Sequence, residues 1–262
     1  MRSAIAITLA AGLLAATQAQ PEPAIVGLDH IPIAVNDLEA AGERFRALGF
    51  ALKPGRPHAN GLRNLHAKFP DGTELELITA PEARDELTTK YRKHLAAGDG
   101  PAFLAFHAPQ RERVTQPLPP YVFLAALNHS PTDRPEHFAH PNGATAFISV
   151  WLAANDLSAE RRLLQSGGAT FTKRRVHIPD AVDAEVAQLR DGDVVLLPGA
   201  HQRIKGRPII GATLRVKSAA TARRVIEARG IPVRASATSV FVAPEAANGL
   251  WLEFLDASTT SR

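Results

Sequence analysis

Apolar and polar positions along the chain fall into a pattern that occurs three times. Leu28 to Val35 alternates as a half-buried strand does; Asp37 then opens a short amphipathic stretch that closes at Gly49. The same order returns from Ala146 to Ala153 with Asp156 and Gly168, and from Ile209 to Val216 with Ser218 and Gly230. In every copy the opening residue stands twelve positions before the glycine. Asp and Ser suit the N-cap, where a side-chain oxygen accepts from a free amide of the first turn, and glycine suits the left-handed position just past a helix. After each glycine comes β-rich sequence ending in a strand that another glycine introduces: Thr73 to Thr79, Asp193 to Leu197 and Leu250 to Leu255. The predicted unit is a strand, a helix and about three further strands, βαβββ.

A sheet of this kind has one face under its helix and one face bare, so copies are expected to pair and enclose the bare face. Between the first two copies lie two more strand candidates, Ala102 to Phe106 and Tyr121 to Leu127, separated by the Pro-rich Pro117-Leu118-Pro119-Pro120 and followed by a loop to Gly143. This piece reads as a reduced module without a helix. The expected fold class is therefore α+β, with paired βαβββ modules forming two curved-sheet barrels. Residues 25–142 pair a full module, 25–80, with the reduced one, 101–142. Residues 143–257 pair the modules 144–200 and 208–257.

The start of the chain has a different pattern. Met1-Arg2-Ser3 precedes an apolar run from Ala4 to Ala16 and then Thr17-Gln18-Ala19, the order of a secretory signal peptide over residues 1–19. The run is shorter than the roughly 18 to 20 apolar residues that span a bilayer, so a cleaved leader and a secreted or periplasmic protein without a stable membrane anchor are expected. The 262 residues are 45% hydrophobic and 21% charged, enough to bury a core. Cysteine is absent, which removes disulfides, a lipoprotein anchor and thiolate metal ligands. The net charge is +4, yet acids interleave with the bases and the longest basic cluster is Lys173-Arg174-Arg175, so no nucleic-acid partner is expected.

Strand alternation assigns faces. In the first strand Ile31, Ile33 and Val35 belong under the helix, and His30, Pro32 and Ala34 face the groove. After Gly72, Leu75 and Leu77 belong under the helix, leaving Glu74, Glu76 and Ile78 toward the groove. An imidazole and a carboxylate thus share a concave surface, the minimal protein part of a site for zinc, manganese, iron or nickel. A His–Glu hydrogen bond closing a polar gap, or a Glu paired with Arg56 or Arg63, accounts for the same pattern. In the later copies Ser149 and Thr213 stand where His30 does, and Leu196 and Glu253 where Glu76 does. Phe147 and Trp151 flank Ser149, Trp251 shares a face with Glu253, and Arg215 lies beside Thr213. That second groove reads as metal-free, structural or a pocket for an apolar ligand.

The run Leu28-Asp29-His30-Ile31-Pro32-Ile33-Ala34-Val35-Asn36-Asp37-Leu38, with Phe45, Leu48-Gly49-Phe50 and the strand Gly72 to Ile78, resembles the opening module of the glyoxalase and dioxygenase, or vicinal oxygen chelate, superfamily. Asn64 and His140-Pro141-Asn142-Gly143-Ala144 make the likeness closer to glyoxalase-like domain proteins. The resemblance implies modules curled around a divalent metal ion with His30 and Glu76 as ligands. It also implies further ligands from the partner module, where Phe103 aligns best with His30. His107 and His129 are the substitutes, with His58 and His66 as other donors; Glu74 is a candidate base, and Asn64 and Arg63 are substrate-binding candidates. The expected activity is that of a metal-dependent lyase, isomerase or dioxygenase on a small oxygenated molecule. The alternative is a metal-free protein of the same fold that binds a drug or metabolite, and a third reading is an inactive scaffold for assembly. Oligomeric state does not follow from these residues, and a homodimer is left open.

Overall fold

The computed structural model describes residues 22–127 and 129–257. The leader expected at 1–19 lies outside them. The first module comprises β1 (Gly27–Ala34), α1 (Leu38–Ala47), β2 (Lys53–Pro54), β3 (Arg63–Lys68) and β4 (Glu74–Thr79). A helix, α2 (Glu86–Leu95), follows, and then β5 (Gly100–Pro101), β6 (Leu104–His107) and β7 (Val122–Ala125). The second full module is β8 (Ala144–Ala154), α3 (Ser158–Ser166), β9 (Thr170–His177), β10 (Ala181–Leu189) and β11 (Gly192–Pro198). The last is β12 (Ile209–Val216), α4 (Ala219–Glu227), β13 (Val233–Ala235), β14 (Ser239–Val242) and β15 (Trp251–Asp256).

The helices begin and end for the reasons visible in the sequence. Asp37 accepts from the Ala40 amide at 3.0 Å and Ser218 from the Thr221 amide at 3.3 Å. Gly49, Gly168 and Gly230 take φ of 84°, 103° and 74°, the left-handed values that stop a helix without a Cβ clash. The second copy departs by one residue: Asp156 accepts from the Ser158 amide at 2.8 Å, and Leu157 occupies the N-cap. An unforeseen helix, α2, starts at a capping box in which Asp85 accepts from the Thr88 amide at 2.7 Å and the Thr88 hydroxyl accepts from the Asp85 amide at 2.8 Å.

Two mixed sheets result, in the orders β2-β3-β4-β1-β6-β7, with β5 on β1, and β13-β14-β15-β12-β8-β11-β10-β9. They are the curved sheets of paired modules that the sequence led one to expect, and they stay open, because among the described residues the edge strands of each sheet do not bond to one another. In the first sheet β6 runs antiparallel to β1 and β7 parallel to β6, so the reduced module has kept a first and a last strand. The second sheet joins two full modules through antiparallel β8 and β12.

The helix-side faces of both sheets pack into one core. Ile31, Ile33, Val35, Leu75 and Leu77, each without exposed surface, share it with Leu152, Leu214 and Phe254. Burying each such side chain contributes roughly 1.5 to 3 kcal/mol. Phe50 and Phe254 bring the sheets together, with ring centroids 5.9 Å apart. Gly27 meets the Asp191 carbonyl so closely that a Cβ would collide with it, and the Leu28 amide donates to that carbonyl at 3.2 Å. The motif His140-Pro141-Asn142 is a staple in this seam. His140 Nδ1 accepts from the Ala51 amide at 3.0 Å and its Nε2 bonds the Lys68 carbonyl at 2.8 Å, while Asn142 donates to the Leu48 carbonyl at 2.9 Å. Burial lowers the His140 pKa, in keeping with a neutral ring that accepts at one nitrogen and donates at the other.

Candidate functional site

Across the first sheet the groove-facing row is polar. His30 is registered with Glu74 and Pro32 with Glu76 on β4, and Glu76 with His66 on β3. His30 Nε2 lies 3.7 Å from Glu76 Oε2, and His30 Nδ1 bonds Asp29 Oδ1 at 2.5 Å. The strands therefore do bring His30 and Glu76 together. Burial works against a charged imidazole, but Asp29 and then Glu76 outweigh it, and the His30 pKa is raised. Asn64 Nδ2 donates to Glu76 Oε1 at 2.5 Å; Glu74 is 2% exposed and bonds His66 Nδ1 at 3.1 Å. Arg63 lies at the surface, 3.7 Å from Glu39.

Among the described residues the reduced module supplies no further donor to this pair. Across the antiparallel ladder His30 faces Ala105, not Phe103, and Ala105 in turn faces Phe123 on β7. The Phe123 ring stands edge-on to His30 with centroids 5.2 Å apart, and Phe103 and Tyr91 continue the aromatic cover toward α2. His107 is registered with Gly27 at the far end of β1, and the His129 ring lies against Gly72. His66 is held by Glu74. Among the described residues no three His, Asp or Glu side chains come together as a metal-binding group. A divalent ion in a closed or facial protein site needs at least three donors, so the side chains here do not fit a resident metal.

The other end of this groove is closed by charge. Asp133 takes Lys53 Nζ on one oxygen at 2.5 Å and Lys68 Nζ on the other at 2.6 Å. Lys68 is 1% exposed. Both ends of the first groove are thus filled, one by α2 and one by this loop.

The space is in the second sheet, where a cavity of about 1160 Å³ opens on the groove face. Its floor is a row read across the ladder, Asp193 on β11, Ser149 on β8, Thr213 on β12, Glu253 on β15 and Phe241 on β14. The next row is Val195, Trp151, Gly211 and Trp251. A Cβ at Gly211 would collide with the Trp151 ring, so glycine is what lets the indole lie across β12. Trp151 Nε1 donates to Thr213 Oγ1 at 3.1 Å, Thr213 Oγ1 donates to Glu253 Oε2 at 2.8 Å, and Ser239 Oγ donates to Glu253 Oε1 at 2.7 Å. Burial raises the Glu253 pKa against those hydrogen bonds.

Two face assignments need correction. A bulge at Ile148 packs Phe147 into the shared core with Val150 and Leu152, where it still borders the cavity, and Trp151 is the ring that lies across the groove beside Ser149. Leu196 also enters that core; the residue across from Ser149 is Asp193, which Arg174 Nη2 holds at 2.9 Å. Arg215 makes no ion pair with Glu253.

Comparisons with known proteins follow the architecture. Residues 28–120 match the family profile described as glyoxalase-like domain. Among solved structures the chain is similar to the 2,3-dioxygenase LapB from Pseudomonas sp. KL28, at 12% identity and TM-score 0.59, with 90% of this chain and 93% of that one covered. It is also similar to a mutant of 4-hydroxymandelate synthase from Streptomyces coelicolor, at 13% identity and TM-score 0.58, with 88% and 92% covered. A third likeness, TM-score 0.61 at 12% identity, is to a xylose isomerase-like TIM barrel/4-hydroxyphenylpyruvate dioxygenase fusion protein; 90% of this chain is covered, and the chain spans 49% of that protein. No curated protein sequence matches. The chain shares the paired-module fold of these structures.

Proposed function

We propose that the protein binds a small molecule in the groove of its second sheet, and that this binding does not depend on a metal held by His30 and Glu76. The observation that carries the reading is the cavity over Ser149, Trp151 and Thr213, against a first groove that is capped at both ends. A concave site of this size with an aromatic wall and a few polar groups is the usual form of a ligand pocket. The reading as a metal-dependent lyase, isomerase or dioxygenase draws support from the fold and from the nearness of His30 to Glu76, and it requires a third donor that the described residues do not bring there. The neighbours' activities belong to those proteins, since a shared fold carries many functions.

Both tryptophans of the chain stand in the second sheet, so ligand entry should change their emission. With chelator-treated protein, titration with neutral 1-naphthamide is expected to quench that emission saturably, and His30→Gln is expected to leave the curve unchanged. Quenching that needs an added divalent ion, or that is lost in His30→Gln, would move the site to the first groove and defeat the proposal. The protein is further proposed to work outside the cytosol after loss of residues 1–19. N-terminal sequencing of protein from the periplasm or medium should begin near Gln20, and a start at Met1 rules that out.

A further inference from the structure

We infer that the ligand of the second groove is an organic acid, its carboxylate held by Arg215, Arg174 and Ser149 and its ring or apolar body laid against Trp151 and Phe241. This rests on the reading of that groove as the ligand pocket and adds the chemical class of what enters it.

The argument comes from which polar atoms are left over. Among the described residues, three buried side-chain atoms on the wall of the cavity have no hydrogen-bond partner: Ser149 Oγ, Arg174 Nε and Arg215 Nε. A buried donor without a partner is costly, so native chains keep such groups where something else completes them. All three carry a hydrogen to give, and two belong to permanently charged guanidinium groups. The unpartnered acceptors elsewhere, Asp29 Oδ2, Asn64 Oδ1 and Asn248 Oδ1, do not line this space. What complements the wall is therefore an acceptor-rich, negatively charged group.

The charges around the cavity point the same way. Arg174 is already bonded to Asp193, Arg175 lies near Asp183, Arg190 bonds Asp191 and Arg234 bonds Asp180. Arg215 makes no ion pair among the described residues and is the cation on the wall without one. It acts at longer range on Asp71, whose carboxyl burial pushes toward the neutral form in spite of that charge. Glu253, deeper in the row, is held by the Thr213 and Ser239 hydroxyls and is also displaced toward its neutral form by burial. The wall thus offers one guanidinium outside any ion pair and one unpartnered hydroxyl, together with an indole that Gly211 lets lie across β12. That is the layout for an acid with a planar or apolar body, because a bidentate guanidinium suits a carboxylate and an aromatic face suits the rest.

The test uses the full mature protein, 1-naphthoate and its neutral isostere 1-naphthamide, read by tryptophan emission without added metal. Wild type should bind the naphthoate at least about tenfold more tightly than the amide, as a charge-assisted hydrogen bond allows. Arg215→Met should remove most of that preference, weakening the naphthoate far more than the amide. Ser149→Ala should weaken the naphthoate by a few-fold, and it serves if the arginine variant fails to fold. Raising the salt concentration should weaken the acid and spare the amide. Equal binding of acid and amide, or an unchanged preference in Arg215→Met, overturns the inference and leaves the pocket standing. No saturable response to either compound overturns the pocket as well.

Discussion

Replacing Asp133 with alanine should lower the unfolding free energy by about 3 kcal/mol, the low end of what breaking a buried ion pair costs. The carboxylate is the shared partner of Lys53 and Lys68, at 2.5 and 2.6 Å, and its own side chain is 13% exposed. Lys68 has almost no contact with water, so removing its counter-charge leaves an ammonium that solvent reaches poorly. The low end applies because Asp133 sits on a loop that can relax. Burial alone would raise the Asp133 carboxyl, but the two ammonium groups and the Ser130 amide hold it well below the usual carboxylate range. A folded pKa below the unfolded one gives stability that is complete above about pH 4, the unfolded carboxylate value, and is lost as pH falls through the folded value. The gap between wild type and Asp133→Ala in urea melts should therefore be constant from pH 7 to about 5 and shrink in stronger acid. Asp133→Asn, which keeps a carbonyl acceptor, should fall between the two. A gap under about 1 kcal/mol at pH 7, or one that widens in acid, contradicts this account of the first groove.

How far the chain could be read before folding depends on whether a feature is local. Helix caps are local: Asp37 and Ser218 make the bonds their positions suggest, and the glycines that close the helices take the left-handed φ expected of them. The strands of the reduced module were readable for the same reason, as short apolar runs between turn residues. The α2 helix is equally local, although it stands outside the repeated pattern. Its signal was Asp85 followed by Thr88, with Thr88, Tyr91 and Leu95 on one buried face. Register is a property of two strands, and a single strand shows only alternation. The bulge at Ile148 therefore could not be seen from β8 alone, and with it went the face of Phe147. The pairing of His30 with Ala105 is likewise set by where β6 docks, and it puts an alanine, not a third metal donor, across from His30. The position of the cavity depends on three such nonlocal facts: α2 over one groove, Asp133 at its end, and Gly211 beneath Trp151.

Phe254→Ala should cost about 3 to 5 kcal/mol, the range for emptying a fully buried phenylalanine site, and it should cost this in both halves of the chain at once. Phe254 belongs to β15 in the second sheet and has no exposed surface, yet its ring lies 5.9 Å from Phe50, which follows α1 in the first module. Phe50 in turn stacks on Phe45 at 5.4 Å and meets Phe69 at 6.4 Å. A cavity at Phe254 therefore removes contacts on both sides of the seam, and close-packed side chains refill it only in part. Two independently folded sheets would behave differently: the second would lose stability and the first would not. The sequence supplies a probe for this, because both tryptophans stand in the second sheet while secondary structure is spread over both. In wild type and in Phe254→Ala, denaturation followed by tryptophan emission and by far-ultraviolet circular dichroism should give superimposable transitions, shifted together in the variant. Separate transitions, with tryptophan emission changing while part of the dichroism persists, would mean that the shared core does not couple the sheets. Coincidence would mean that a ligand bound in the second groove stabilises the first sheet too, since anything that binds only the folded state raises the stability of the whole cooperative unit.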